Sequence, residues 1–207
     1  VYRLLLAEKK INLRPGVLRL IEELINEDIS LNIATSSSLE NVDTLLKHNL
    51  GSDWMKLFDV VESSDTTKEK KPNPAVYKNV LRRSSLNVEH VMAIEDTQNG
   101  LTAAVLASLK TIITTHPMTS KNVFQESCLV IDCMGEPNRP FEVATGKNFG
   151  HNYLNLSLLE KLLNQYNGKP DKAGNELYKF DKIDVISAGE RDPDQDGATG
   201  ASASKAR

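Results

Sequence analysis

The chain has 207 residues, 40% of them apolar, with a formal net charge of −3 and a pI near 5.9. That length suits one domain, or one domain and a tail. Without a basic stripe, neither nucleic acid nor an anionic membrane surface is an expected partner. No apolar stretch reaches the roughly 18 residues of a membrane span. Two cysteines, Cys128 and Cys133, make no disulfide framework and have no zinc-ligand partners nearby, so they read as free thiols in a reducing compartment.

The first residue is Val1, and residues 1–6 are too short for a secretory signal, so the start reads as a cut through a longer protein. Residues 2–9 read as the last turns of a helix. Arg14-Pro15-Gly16 breaks the chain, with Pro15 placed in the first turn of a helix over 15–27, where Val17, Leu18, Leu20, Ile21, Leu24 and Ile25 recur at helical spacing. A strand is predicted over 29–34. The following helix is capped by Ser37 or Ser38, has Val42, Leu45 and Leu46 on its inner face, and stops at Gly51.

Strands over 58–62, 88–94, 111–115 and 127–132 alternate with helices over 74–83 and 99–107, the latter rich in small residues that let it lie close on a sheet. This rhythm predicts an α/β fold of Rossmann-like type with a mostly parallel sheet. Residues 141–145 are ambiguous and 156–166 form a helix. Residues 167–188 read as a C-terminal arm with a possible edge strand at 176–187, and 189–207 as a disordered tail without apolar anchors.

Three segments carry the chemistry: Ile33-Ala34-Thr35-Ser36-Ser37-Ser38, Lys70-Lys71-Pro72-Asn73-Pro74, and Ile94-Glu95-Asp96-Thr97-Gln98-Asn99-Gly100. Each alone has a plain structural reading: a helix cap, a solvated turn, a capped strand end. Together and in order, they place hydroxyls, a lysine and paired acids at strand ends, where parallel sheets build their ligand crevice. By type, Thr35, Ser36 and Ser37 would donate to phosphoryl oxygens and Lys71 would neutralise charge there. Asp96 with Glu95 would hold a hard divalent cation, Mg2+.

That trio resembles motifs two, three and four of the haloacid-dehalogenase superfamily of phosphohydrolases. The likeness extends to its CbbY-type branch through Leu13-Arg14-Pro15-Gly16-Val17, Phe58-Asp59, Tyr77, Glu95 to Leu101, and Gly135-Glu136-Pro137. It implies a Rossmann-like core over 13–166, residues 1–12 being the remnant of a cap or linker helix. It further implies magnesium-dependent hydrolysis of a small sugar phosphate, xylulose bisphosphate being the substrate of some members. By the same likeness Thr35 and Lys71 are catalytic, with Thr35, Ser36, Ser37 and Lys71 on the phosphate and Glu95 and Asp96 on the metal.

No Asp-x-Asp closes an apolar run in this chain. The nucleophilic aspartate, the first and central strand and most of the cap are therefore expected before Val1, and the chain alone is expected to be inactive. The family often has glycine where this chain has Asp28, Ser64 and Ser108. A monomer is expected at full length, in the cytoplasm or a plastid. Two alternatives stand beside the phosphatase: a sugar-phosphate mutase on the same scaffold, and a non-catalytic phosphate-binding module. Asp192 to Gly197 matches the opening of a calcium loop, but Ala203 stands where its bidentate glutamate belongs, so it reads as an acidic tail. His116 ends a strand on the crevice side and is a candidate substrate contact; the other histidines lack metal-ligand spacing.

Removing a central strand leaves two rows of unmet backbone groups at about 1–3 kcal/mol each, unless the flanking strands close up. Those strands end at Thr35 and Glu95.

Overall fold

The computed structural model describes residues 11–166. Residues 1–10 of the expected linker segment, the arm at 167–188 and the tail at 189–207 lie outside them. In chain order the elements are α1 (Val17–Asn26), β1 (Asn32–Ala34), α2 (Leu39–Leu50), β2 (Val60–Glu62), α3 (Ala75–Ser84), β3 (Met92–Glu95), α4 (Gln98–Leu106), β4 (Lys110–Thr114), β5 (Leu129–Ile131), β6 (Val143–Gly146) and α5 (Leu156–Tyr166). Among the described residues no helix is long and apolar enough to cross a membrane.

The strands form two sheets. β1 pairs with β2 in parallel, and β3-β4-β5 run parallel with β6 antiparallel at the far edge. Among the described residues no strand joins β1 to β3. The strands flanking the expected central position have not closed on each other. Packing nevertheless runs across the gap. Alternation along β3 sends Met92 and Ile94 to one face, against Leu20, Leu24, Leu31, Leu158 and Leu162, and Ala93 to the other, against Val76, Val80, Ala103 and Ala104. The small residues of α4 are completely buried, as their size requires for a helix lying on a sheet.

Several boundaries differ from the sequence expectation for local reasons. Pro15 stands before the helix, because Gly16 takes φ +85°, a left-handed conformation that cannot be the second residue of α1. Gly16 packs against the 134–135 backbone, and a Cβ there would meet Gly135 O at 2.3 Å. Residues 88–90 form a 3₁₀ turn, not strand, since Asn87 accepts the Glu89 N–H at 3.1 Å and bends the backbone away from the ladder. Strand β1 begins at Asn32, three residues late, because the chain is still closing α1: Ile29 N donates to Leu24 O at 2.9 Å. The ambiguous segment around 143 is a strand, exposed along its length. Ser38, not Ser37, caps α2, accepting from Asn41 N at 3.4 Å.

Two of the three positions at which the family resemblance implies glycine are left-handed here. Asp28 has φ +56° and Ser108 φ +64°, each just past a helix closed by a backbone bond reaching five residues back. Ser64 is not left-handed. Because a side chain costs about 1–2 kcal/mol in that conformation, Ser108→Gly is expected to raise stability by about 1 kcal/mol. Urea unfolding checks this, and an unchanged or lower midpoint would contradict it.

Candidate active site

Thr35 follows β1 directly and Asp96 follows β3, so both come from the C-terminal ends of strands. The Thr35 backbone N–H donates to Glu62 O at 2.9 Å, extending the β1–β2 ladder by one bond. Its Oγ1 accepts the Ser37 N–H at 3.1 Å, curling the 35–38 loop before α2. Thr35 and Ser37 are buried and Ser36 is half-buried. The loop after β2 is stitched alongside: Ser64 N donates to Ser37 O at 2.8 Å, and Asp65 Oδ2 accepts the Leu39 N–H at 2.7 Å.

Lys71 crosses the gap between the sheets. Its ammonium donates to Ala34 O, at the end of β1, at 2.8 Å, and to Glu95 Oε1, at the end of β3, at 2.5 Å. It lies 4.9 Å from the centroid of the Tyr77 ring, and among the described residues only a 3.5 Å contact to the Tyr77 hydroxyl engages its third donor. The same Glu95 Oε1 accepts the Tyr77 hydroxyl proton. Burial, with the Glu95 charge beside it, pushes the Tyr77 phenol far above its usual range. Glu95 Oε2 has one long contact, 3.4 Å from Asp96 N. Gly100 makes room for this carboxylate: a Cβ there would stand 1.9 Å from Oε2.

Asp96 is 6% exposed. Burial, then the neighbouring Glu95, raises its pKa to about 6, with Lys71 and Arg14 pulling the other way. Arg14 is thus close enough to matter, although sequence reasoning noted it only in passing. Its guanidinium donates to Thr114 O and Thr114 Oγ1, each at 2.9 Å, and also to Thr115 O and Asp132 O. It ties the entering chain to the ends of β4 and β5. His116, expected on the crevice side, turns its Nδ1 to the Met118 N–H at 3.3 Å within its own loop.

Among the described residues no cluster of three His, Cys, Asp or Glu side chains gathers to hold a metal. The candidate donors are the neighbouring carboxylates of Asp96 and Glu95, the latter with a lightly engaged Oε2, all hard oxygens. A buried carboxyl held above its ordinary pKa is one whose ionised form a cation would stabilise. One or two carboxylates with water completing the shell is a donor set that suits magnesium.

The chain belongs to the haloacid dehalogenase-like hydrolase family, whose model matches residues 2–114. Its relatives include proteins of the CbbY type. It is 40% identical over 128 residues to protein CbbY of Cupriavidus necator, covering 62% of this chain and 50% of that one. Against protein CbbY of Cereibacter sphaeroides the figures are 37% over 132 residues, 64% and 57%. The chain thus spans about half the length of these relatives. CbbY from Rhodobacter sphaeroides, solved in complex with phosphate and, as a mutant, with xylulose-(1,5)bisphosphate, superposes with a TM-score of 0.60 at 37% identity, over 63% of this chain and 58% of that one.

Proposed function

We propose that this chain supplies the phosphate- and metal-binding part of a magnesium-dependent phosphomonoester hydrolase acting on a small sugar phosphate. The observation that carries the reading is the Lys71 ammonium, bonded at once to Ala34 O and Glu95 Oε1. It gathers a hydroxyl loop, a cation and two acids on one rim. The CbbY crystal structures, with phosphate in one and xylulose-(1,5)bisphosphate in another, support the substrate class. The nucleophilic aspartate is assigned to a segment outside this chain, a reading supported by the share of its relatives that the chain spans.

In this reading the Lys71 ammonium, anchored through two of its three donors, turns the third to a phosphate oxygen and stabilises the charge of the transferring phosphoryl group. The Thr35 hydroxyl and the 35–38 loop bind the other oxygens and orient them. Glu95 holds the Lys71 ammonium in place through Oε1, while Asp96, with Glu95 Oε2, would hold magnesium. When bound, the ion supplies positive charge to the phosphate oxygens.

Turnover of p-nitrophenyl phosphate tests the reading, compared between this chain and one extended upstream through an Asp-x-Asp strand. The extended chain is expected to hydrolyse the ester in a magnesium-dependent way, and this chain not. Phosphate binding by an extended chain that never turns over would sink the hydrolase reading.

A further inference from the structure

Glu62 ends β2 with its side chain 3% exposed, and nothing in the chemistry above employs it. Its Oε2 accepts the hydroxyls of Thr66 and Thr67, each at 2.8 Å, and its Oε1 accepts from Arg83 of α3. Both hydroxyls already accept a proton from elsewhere. Thr66 Oγ1 takes the Ser63 N–H and Thr67 Oγ1 the Asn79 Nδ2–H, each at 2.9 Å. Each therefore has one proton to give. Among the described residues the only other acceptor in reach of Thr66, Ser63 O, is longer at 3.2 Å.

A carboxylate meets all three donors because it has only acceptors to offer. Glutamine would turn an NH2 group either toward two donating hydroxyls or toward the guanidinium. Burial raises the Glu62 pKa, but the bonds from Arg83, Thr66 and Thr67 outweigh it, so the carboxyl titrates below its ordinary range. Arg83 also offsets the charge, which lets an acid stand close to an anion site.

The turn held in this way, 63–67, lies against the phosphate loop. It carries the Ser64 bond to Ser37 O and the Asp65 bond to Leu39 N–H, and it roots the segment that delivers Lys71. We propose that Glu62 is a positioning residue of the phosphate site: its carboxylate orders the 63–67 turn and thereby sets the donors of the 35–38 loop and the reach of Lys71. It does this without touching the phosphate. The inference rests on the phosphate reading given above.

The test is calorimetric titration of the full chain with inorganic phosphate, at a temperature where each variant's melt shows it folded. Glu62→Gln is expected to weaken binding about tenfold and to lose amide-exchange protection at Leu39 and Ser64. A merely structural role would lower the melting temperature and leave the affinity of the folded protein alone. Unchanged affinity in folded Glu62→Gln, with Lys71→Met still abolishing binding, overturns the inference and spares the phosphate reading. Failure of the wild-type chain to bind phosphate overturns both. If Glu62→Gln does not fold, Thr67→Val decides in the same way, a several-fold loss supporting the inference and an unchanged affinity overturning it.

Discussion

Lys71→Met is expected to abolish binding of inorganic phosphate and to cost about 3–5 kcal/mol of stability, the usual penalty for leaving one partner of a buried pair alone. Both members are well covered, with side-chain exposures of 12% for Lys71 and 6% for Glu95. Methionine keeps the length of the aliphatic stem and a contact with the Tyr77 ring, so the loss is that of the ammonium. What remains is a carboxylate oxygen with the Tyr77 hydroxyl as its one close donor. Adding Glu95→Gln to Lys71→Met removes the stranded charge while still accepting that hydroxyl. The double variant is therefore expected to recover most of the stability and none of the phosphate binding. Denaturant unfolding and phosphate titration read the two effects separately. Phosphate affinity that returns with Glu95→Gln would mean that Lys71 serves the fold and not the ligand.

Asp96→Asn is expected to stabilise the protein in the absence of metal, by roughly 3 kcal/mol at pH 7, since each unit of pKa shift is worth about 1.4 kcal/mol. The folded pKa, about 6, lies above the ordinary aspartate value of 3.8. Below pH 4 the carboxyl is neutral in both states and no penalty is felt. Between pH 4 and 6 the unfolded chain ionises first and stability drops, and above pH 6 the loss is complete. The asparagine variant should lack that drop and melt roughly 5–10 °C higher at pH 7. Magnesium at millimolar concentration should raise the melting temperature of the wild-type chain by mass action and leave the variant unmoved. Equal responses of the two proteins to magnesium would remove Asp96 from the metal site. A residue whose removal stabilises the fold while destroying ligand binding is what a functional carboxylate in a buried site predicts.

The helices and the strand ends were legible because their signals are local. Apolar spacing along 17–26 and 156–166, Gly51 as a stop, and Ala103 and Ala104 for close packing all act within a few residues of themselves. The same locality explains the misreadings. A left-handed Gly16 and an Asn87 side chain that bends 88–90 into a turn depend on neighbours that hydrophobic periodicity does not register. β6 was ambiguous because an edge strand exposed along its length carries little apolar signal.

By itself the sequence determined the α/β class and the order of the elements, and it singled out Thr35, Lys71, Glu95 and Asp96 as candidates. Those follow from short-range pattern and from residue type. Only the tertiary structure decided how they meet: Lys71 spanning two sheets that no described strand joins, and Tyr77 and Gly100 fixing opposite sides of the Glu95 carboxylate. The acceptor of Arg14, one hundred residues away at Thr114, and the partner of Glu62, twenty-one away at Arg83, were invisible for the same reason. The partner of a buried charge is chosen by how strands and helices pack, and that choice leaves no spacing in the chain to read.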